Sequence, residues 1–201
     1  MSLGLACKDV NRLPIKVENV SKSFEGKEVL KNLSLELPDK GIYCLLGASG
    51  SGKTTLLRLL AGLDTPDSGH IAGTQGKKIS FVFQGDRLLP GSTAFENVAV
   101  ASSPEAATLW LKRLELSDAA DKKPAKLSGG MARRVALARA LAFGGDILLL
   151  DEPFKGFDRE LKKRIMPYIT EFAKNALVVL VTHDEQEAAI ADTVFTMETL
   201  L

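Results

Sequence analysis

One segment of the sequence has residue types and a spacing that suit it to holding phosphate groups. Residues 47–54 read GASGSGKT and fit the pattern G-x-x-x-x-G-K-[ST]. In this pattern backbone N–H groups surround phosphate oxygens, the lysine supplies a positive charge, and the hydroxyl binds Mg²⁺. Glycine matters because a side chain would block that close approach. The segment predicts a site for ATP and Mg²⁺.

The residues on either side of this loop predict the strand and helix that must hold it. An apolar run at 42–46 precedes the loop, and 55–61 has the spacing of an amphipathic helix that ends at Gly62. Phosphate binding requires a strand, a loop and a helix in that order. A glycine turn that joins a core strand to a helix and binds nothing is the alternative.

A second glycine-rich segment, Ser128-Gly129-Gly130, opens a strongly helical stretch at 131–142. A serine hydroxyl and free N–H groups at the N-terminus of a helix attract anions. On its own the segment is better interpreted as an ordinary helix cap. Its position between a phosphate loop and an acidic strand end favours an anion site instead.

Two adjacent carboxylates, Asp151 and Glu152, follow a buried strand predicted at 147–150. Ligands of open α/β sheets bind at this end of the strands. We expect Asp151 to hold Mg²⁺ together with Thr54, directly or through water. We expect Glu152 to polarise the water that attacks the γ-phosphate. A charged strand end that simply meets solvent is the alternative.

Three further side chains occupy positions from which they can reach the same ligand. His183 and Gln84 each follow an apolar run, so we expect His183 to sense the γ-phosphate and Gln84 to reach Mg²⁺ or the attacking water. Phe24 lies beside a turn and can stack on an adenine ring. The alternatives are a loop histidine without a role at the site for His183, a polar residue at a strand end for Gln84, and a core phenylalanine for Phe24. His70 lacks such a setting and is expected at the surface.

The order of apolar runs predicts an α/β fold, a P-loop NTPase core with a mostly parallel sheet. Alternating apolar residues at 15–20 and 29–37, with a turn between them, predict a small N-terminal antiparallel β unit. Short continuous apolar runs are typical of strands that helices cover on both faces. These runs lie at 42–46, 79–83, 147–150, 176–181 and 194–197.

Helical patterns dominate the stretch between Phe83 and Ser128, and we expect a helical subdomain at about 86–127. Ser103-Pro104-Glu105 has the composition of a helix N-cap and first turn. The apolar face of that helix would consist of Leu109, Trp110, Leu111 and Leu114. Trp110 is the only tryptophan of the sequence, and we expect it to pack rather than to contact a ligand.

Composition limits the size of the fold and the kind of partner. The chain has 201 residues, 45% of them hydrophobic, enough for a single domain over 1–201 with one sizeable core. Its net charge of +1 gives no long-range attraction for nucleic acid, so we expect no such partner. No apolar stretch is long enough to cross a bilayer. Cys7 and Cys44 give no disulfide framework, which is typical of a reducing cytosol.

Taken together, these motifs resemble the nucleotide-binding subunits of the ABC (ATP-binding cassette) transporter family. The resemblance covers about 15–197, includes a D-loop around Asp158, and is most specific at the signature Leu127-Ser128-Gly129-Gly130. The residues to which it assigns ATP contact are Phe24, Gly47, Ala48, Ser49, Gly50, Ser51, Gly52, Lys53, Thr54 and Thr55. Those assigned to catalysis are Lys53, Gln84, Glu152 and His183, and those assigned to Mg²⁺ are Thr54, Gln84 and Asp151.

The resemblance implies a head-to-tail dimer, either a homodimer or a pair with another cassette. Each ATP would lie between Lys53 of one chain and Ser128, Gly129 and Gly130 of the other. ATP would close the dimer, and hydrolysis at Glu152 would reopen it. The motion would pass to integral membrane permease subunits, whose coupling helix would dock near the Gln84 loop and the helical subdomain.

Two segments, 81–90 and 183–188, are similar to bacterial importers of the nitrate, sulfonate and taurine type. That similarity implies a separate substrate-binding protein and a cytoplasmic position on the inner face of the cell membrane. Exporters usually carry fused membrane helices, and this sequence has none. We also expect no C-terminal regulatory domain, since few residues follow the last predicted strand.

Two departures from the family pattern flank the predicted site. Met131 stands where the signature commonly ends in Gln, and Lys155-Gly156-Phe157 replaces a more usual Ser-Ala-Leu before Asp158. Neither departure removes a group that contacts phosphate. We expect Met131 to weaken a polar contact across the dimer and therefore ATP-dependent dimerisation.

Two other functions also fit part of the pattern. A soluble ABC ATPase of an assembly complex, of the metal-cluster scaffold type, is likewise a single cassette. A nucleotide-gated interaction module with little catalysis would share the phosphate loop. The intact Glu152 and His183 argue against the module. The main interpretation is an ATP hydrolase that drives transport.

Overall fold

The chain forms two sheets and a set of covering helices in the computed structural model, which describes residues 14–197. In chain order the elements are β1 (Ile15–Phe24), β2 (Lys27–Leu37), β3 (Gly41–Leu46), α1 (Lys53–Leu60), β4 (Ser68–Ala72), β5 (Ile79–Val82), α2 (Ala94–Ala99), α3 (Pro104–Arg113), α4 (Gly129–Phe143), β6 (Ile147–Asp151), α5 (Arg159–Ala173), β7 (Leu177–Thr182), α6 (Glu185–Ala188) and β8 (Thr193–Thr196). Cys7 lies outside the described residues.

The larger sheet has five parallel strands in the order β5-β6-β7-β3-β8. Because the strands are parallel, their carboxyl ends meet at one edge, where ligands of such sheets bind. The residues that follow β3, β5, β6 and β7 therefore come together there. The predicted α/β class with a mostly parallel sheet is confirmed, and the ends of these five strands differ from the prediction by at most one residue.

The core lies on both faces of this sheet, as the continuous apolar runs predicted. Every residue of β6 and β7 is buried. Side chains of a strand alternate between its faces. Leu148 and Leu150 accordingly pack in the cluster that includes α4 and α5, whereas Ile147 and Leu149 pack in the cluster that includes α1. The edge at which the strands end therefore belongs to a sheet that is packed on both faces.

The smaller sheet is antiparallel, with strand order β2-β1-β4, and the predicted N-terminal β unit is confirmed. Strand β4 was not predicted. Its sequence, SGHIA, has no apolar alternation, and all of its residues are exposed or only partly buried. Pairing with β1, rather than its own pattern, makes this segment a strand. His70 in this strand is 67% exposed and pairs with Glu18, so its predicted surface position is confirmed.

Helices α2 and α3 lie between β5 and α4 in the sequence and pack against α4. The predicted cap of α3 is confirmed, since Ser103 Oγ accepts a hydrogen bond from the N–H of Ala106 at 3.2 Å. Trp110 packs edge-on against Tyr168, with ring centroids 6.0 Å apart. The prediction for Leu109 was wrong: this residue is 45% exposed, because its position on α3 faces solvent. The bounds 86–127 of a helical subdomain stay a prediction.

No helix within residues 14–197 is long and apolar enough to cross a membrane.

Candidate functional site

The phosphate loop joins the end of β3 to the start of α1, in the predicted order of strand, loop and helix. Lys53, the first residue of α1, folds its side chain back over the loop and is 6% exposed. Its Nζ donates to the carbonyl oxygens of Gly47 at 2.8 Å and Ala48 at 2.6 Å, and to Ser51 Oγ at 3.2 Å. This arrangement puts a positive charge within a loop whose N–H groups are suited to phosphate oxygens.

At Gly52, both the backbone conformation and the close packing around the Cα require glycine. Its φ is +91°, and a Cβ there would lie 2.7 Å from Leu30 Cδ2 and 3.0 Å from the carbonyl oxygen of Val29. The loop therefore packs directly against β2 immediately before α1 begins. Any larger residue would move the N-terminus of this helix away from the sheet edge.

The side chains of Thr54 and Asp151 meet where α1 begins and β6 ends. Thr54 Oγ1 donates a 2.8 Å hydrogen bond to Asp151 Oδ2. Asp151 is 2% exposed, and burial raises the pKa of its carboxyl, while the Thr54 hydrogen bond and the charges of Arg133 and Lys53 oppose that rise. A hydroxyl and a carboxylate oxygen held together in this way are ligands of the kind that Mg²⁺ prefers.

A cavity of about 290 Å³ lies in front of this pair. Its lining includes the loop, Thr54, Thr55 and the strand-end residues Gln84, Asp151 and Glu152. Within residues 14–197, no group of three or more His, Cys, Asp and Glu side chains could hold a metal ion. Mg²⁺ usually binds through one or two carboxylates together with phosphate oxygens and water. Thr54, Asp151 and Gln84 supply oxygen atoms for such a site.

Glu152 and His183 form a pair at the ends of neighbouring strands. His183 Nδ1 lies 3.1 Å from Glu152 Oε1, and the side chains are 68% and 16% exposed, respectively. Both residues line a second cavity, of about 440 Å³. Ser49, Gln84 and Glu152 line both cavities, so the Glu152 carboxylate lies where the two meet. A carboxylate in this position can accept a proton from a water molecule beside a bound phosphate.

The backbone of Glu152 adopts an uncommon conformation. Its φ is +49°, in the left-handed region, which costs a residue with a side chain about 1–3 kcal/mol. Its N–H donates to the carbonyl oxygen of Val181 on β7 at 2.9 Å. This turn directs the chain away from β6 directly after Asp151, so that the two adjacent carboxylates occupy different places at the sheet edge.

An ion-pair network supports the segment that carries His183. Lys162 Nζ on α5 lies 2.7 Å from Asp184 Oδ2 and 2.5 Å from Glu187 Oε1. Thr182 Oγ1 donates to Glu187 Oε2 at 2.5 Å and accepts from the N–H of Asp184 at 3.0 Å. The hydrogen bond from Lys162 holds the pKa of Asp184 below its usual range. The residues on either side of His183 are therefore fixed to α5 and α6.

Arg133 on α4 also belongs to this region, although none of the predicted site residues lies at this position. Its side chain is 3% exposed and donates to the carbonyl oxygens of Phe83, Asp151 and Glu152. One signal was present in the sequence. Arg133 precedes Leu137 and Leu141 by four and eight residues, which is the spacing of one helix face, and both leucines are buried.

The second glycine-rich segment caps α4 but lines neither cavity. Ser128 Oγ accepts a 3.2 Å hydrogen bond from the N–H of Met131, so Ser128 caps the helix, and the predicted anion site at this turn stays a prediction. The linings of both cavities lack Ser128, Gly129 and Gly130. Gly130 lies instead against the loop after β6, where a Cβ would be 3.0 Å from the carbonyl oxygen of Gly156. The side chain of Met131 packs against the core.

Phe24 ends β1 and is 44% exposed, with Lys22 Nζ 5.5 Å from the centroid of its ring. Its exposure excludes the alternative of a core phenylalanine. The ring lies outside the lining of both cavities, and stacking on adenine stays a prediction.

The residues that depart from the family pattern before Asp158 have structural roles. Phe157 is 8% exposed and packs edge-on against Phe154, with ring centroids 6.0 Å apart. Lys155 lines the larger cavity. Asp158 caps α5, since its Oδ1 accepts from the N–H of Leu161 at 2.8 Å. The loop between β6 and α5 is therefore held at both ends.

Comparisons with known proteins agree with this arrangement. The family described as "ABC transporter" matches residues 30–155. The "Sulfate/thiosulfate import ATP-binding protein CysA" of Escherichia coli (strain K12) is 41% identical over 92% of this chain. The "Probable sulfate/thiosulfate import ATP-binding protein CysA" of Chlorella vulgaris is 40% identical over 88% of this chain and 83% of its own length. The chain spans only 58% of the length of the Escherichia coli protein.

Among solved structures, the chain is similar to the "Dimeric structure of a post-hydrolysis state of the ATP-binding cassette MJ0796 bound to ADP and Pi". The TM-score is 0.84 at 32% identity, over 90% of this chain and 93% of that one. This likeness therefore extends over nine tenths of the chain.

Proposed function

This chain belongs to the ABC transporter family, and on that premise we propose that it binds Mg-ATP and hydrolyses it to drive import through separate membrane subunits. The names of its curated relatives, which are import ATP-binding proteins, support this proposal. The same names do not favour the alternative of a soluble ATPase in an assembly complex.

The observation that carries the proposal is the 2.8 Å hydrogen bond between Thr54 and Asp151. It joins the phosphate loop to the acidic strand end, with the Glu152 carboxylate at the adjoining cavity. A glycine turn that binds no ligand would not need a buried carboxylate hydrogen-bonded to the hydroxyl of Thr54. Phosphoryl transfer needs a phosphate cradle, metal ligands and a group that orients water, and the positions of the loop, of Thr54 with Asp151 and of Glu152 support these three roles.

We assign the binding of the triphosphate to the loop 47–52 and to the first residues of α1. Lys53 and the loop N–H groups would bind the β- and γ-phosphate oxygens, and Thr55 would lie beside the α-phosphate. Thr54, Asp151 and Gln84 would hold Mg²⁺, which when bound neutralises charge on the phosphate oxygens. The buried, hydrogen-bonded position of Asp151 supports its role as a ligand rather than as a surface charge.

Glu152 would act on the attacking water. Its carboxylate accepts a proton as the water oxygen bonds to the γ-phosphorus and the bond to the β–γ bridging oxygen breaks. His183, 3.1 Å from the same carboxylate, keeps that side chain directed into the cavity and can contact the γ-phosphate. The network around Lys162 supports this role, because it fixes the residues on both sides of the imidazole.

Two copies of the chain, or this chain and another cassette, would enclose each ATP. Ser128, Gly129 and Gly130 would bind the γ-phosphate held by Lys53 of the partner, with their helix dipole directed at it. They line neither cavity of their own chain, which supports a role in trans. A similar solved cassette is described as dimeric with ADP and Pi bound. Phe24 would stack on the adenine.

The partners would be integral membrane permease subunits and, for an importer, a separate substrate-binding protein. The chain would then work in the cytoplasm, on the inner face of the cell membrane. We further propose that it is one ABC ATPase domain with a helical subdomain at about 86–127. The packing of α2 against α3, which both lie within these bounds, supports that subdivision.

Phosphate release by the purified protein tests the proposed hydrolysis. We expect release with Mg-ATP that EDTA abolishes and that the Lys53→Ala variant lacks. Lys163→Ala is a matched control, since that lysine is exposed and far from the loop in sequence. If wild-type protein, with its permease in membranes, releases no more phosphate than Lys53→Ala, the proposed function is wrong.

A further inference from the structure

Arg133 is a buried arginine that bonds almost entirely to backbone carbonyl groups at the sheet edge. Its Nη2 donates to the carbonyl oxygens of Asp151 at 2.5 Å and Glu152 at 2.7 Å, and its Nε donates to Glu152 at 3.2 Å. Its Nη1 donates to the carbonyl oxygen of Phe83 and to Asp86 Oδ1, the latter at 3.2 Å. A single side chain thus connects α4 to the ends of both β5 and β6.

The bonds to Glu152 act on a strained part of the backbone. Glu152 has a φ of +49°, a conformation that persists only where its surroundings over-determine it. Its carbonyl oxygen accepts from Nε and Nη2 of Arg133 and, more weakly, from the N–H of Lys155 at 3.3 Å. The guanidinium is therefore the main group that holds this carbonyl in place. This carbonyl and the Glu152 N–H, which donates to Val181 at 2.9 Å, together fix the backbone from which the Glu152 side chain projects.

The bonds to Phe83 and Asp86 bracket Gln84. Phe83 directly precedes Gln84, and Asp86 follows it by two residues. Arg133 therefore holds the segment that presents the Gln84 amide to both cavities. The Asp86 carboxylate also balances part of the buried positive charge.

Helix α4 is the element that would move when a partner binds at its first turn. Arg133 lies five residues after Ser128 on this continuous helix, about one and a half turns away. A helix transmits a displacement of its N-terminus to such a residue with little loss, because its hydrogen bonds keep the intervening residues rigid. A shift of α4 must then move the guanidinium relative to the carbonyl groups at the strand ends.

We propose that Arg133 is a positioning residue that aligns Glu152 and Gln84 for hydrolysis only when α4 is in place. It couples occupation of the Ser128–Gly130 turn to the direction of the Glu152 carboxylate. This inference rests on the proposed ATP hydrolysis. It assigns a role in timing the reaction to a residue that touches neither ATP nor Mg²⁺.

A structural role alone would also explain a buried arginine, and Arg134 provides the comparison. Arg134 is the next residue of α4, and its Nη1 donates to the carbonyl oxygens of Leu114 at 2.9 Å and Glu115 at 3.0 Å. It therefore makes bonds of the same kind, on the side of the helix away from the sheet edge. Loss of either arginine removes hydrogen bonds to carbonyl groups, but only loss of Arg133 frees Glu152 and Gln84.

The test compares Arg133→Lys and Arg133→Met with Arg134→Met in the full chain. We expect kcat to fall roughly ten- to a hundredfold in Arg133→Lys, and further in Arg133→Met, because Glu152 is misplaced. The dissociation constant of a fluorescent ATP analogue should stay within about twofold, because the phosphate loop is untouched. Arg134→Met should keep the wild-type kcat, and thermal unfolding confirms that each variant is folded. Arg133→Lys is the decisive variant if Arg133→Met does not fold.

Hydrogen exchange gives a second readout that does not need hydrolysis. Amides in 83–86 and at 151–152 should exchange faster in Arg133→Lys than in wild-type protein, with no change in Arg134→Met. Three results would each overturn the inference. They are a kcat of Arg133→Lys within twofold of wild type, a loss of kcat equal to that of Arg134→Met, and unchanged hydrogen exchange in either segment. If the wild-type protein hydrolyses no ATP, the proposed function fails, and the exchange result alone then decides whether Arg133 fixes both segments.

Discussion

Thr54 and Asp151 lie 97 residues apart in the sequence and share a 2.8 Å hydrogen bond. One belongs to the first turn of α1 and the other ends β6. Their contact exists because β3 and β6 both lie beside β7 in a parallel sheet, so that the chain leaving β3 meets the end of β6. The order of the strands therefore brings together the oxygen atoms proposed to hold Mg²⁺.

The first prediction concerns the charge of Asp151. Asp151→Asn keeps the shape of the side chain and an oxygen that can accept from Thr54, but it removes the negative charge. We expect the Mg²⁺ concentration for half-maximal ATP hydrolysis to rise at least about tenfold. A titration of phosphate release against Mg²⁺ measures this shift. Asp121→Asn, at an exposed aspartate, is the control, and equal curves for the two variants would contradict the assignment.

The second prediction concerns Glu152 as the group that accepts the proton from water. Glu152→Gln keeps the hydrogen-bonding shape but cannot accept that proton, so kcat should fall by roughly 10²–10⁴-fold. Binding of ATP should be retained, which filter binding with labelled ATP can measure. Glu160→Gln, at an exposed carboxylate, should leave kcat unchanged. Turnover at the wild-type rate in Glu152→Gln would remove this residue from the chemistry.

Local patterns were sufficient to predict most of the site. The glycine spacing of the loop, the apolar runs and the polar residues directly after them are features of short segments. Parallel strands then bring Gln84, Asp151 and His183 to one edge, whatever their distance in sequence. For that reason the elements that carry the candidate site could be derived before the structure.

Tertiary contacts account for what the sequence did not reveal. Strand β4 forms through its pairing with β1 and not through its own pattern. Leu109 is apolar but exposed, because the neighbours of α3 cover a different face. The contacts of Arg133 depend on how α4 packs against the ends of two strands. The helical spacing of the sequence indicates only that this face of α4 is buried. The trans role of Ser128 depends on a second chain and stays a prediction.

The third prediction concerns Ser128 and the dimer. In a Glu152→Gln background, where ATP persists, we expect ATP to convert the protein from monomer to dimer in size-exclusion chromatography with light scattering. Adding Ser128→Arg should prevent this dimer, because a long charged side chain would occupy the place of the phosphate. The same variant should still bind ATP, since the phosphate loop of its own chain is intact.

Ser103→Arg is a matched control for that experiment, because Ser103 caps α3 in the way that Ser128 caps α4. It should leave ATP-dependent dimerisation unchanged. A dimer that forms equally well with Ser128→Arg would contradict a role in trans. Loss of ATP binding by the Ser128→Arg monomer would instead indicate a role within its own chain.

The fourth prediction concerns the ion pairs between Lys162, Asp184 and Glu187. Lys162→Met should lower the free energy of unfolding by roughly 1–2 kcal/mol, less than for a fully buried pair because solvent reaches both Lys162 and Asp184. It should also lower kcat, since the residues around His183 lose their contact with α5. Urea denaturation and phosphate release measure the two effects. Lys163→Met breaks only an exposed pair with Glu160 and should change neither.

The effect of Lys162→Met on stability should depend on pH in a defined direction. Asp184 has a lowered pKa in the folded protein, so its contribution is present above its unfolded pKa of about 3.9 and is lost as the pH falls further. Lys162 has a raised pKa, so its contribution is present below about 10.4 and is lost as the pH rises beyond that value. The difference between wild type and Lys162→Met should therefore be largest between these limits and shrink on both sides. A difference that stays constant from pH 3 to pH 7 would show that Lys162 stabilises the fold by packing and not by its charge.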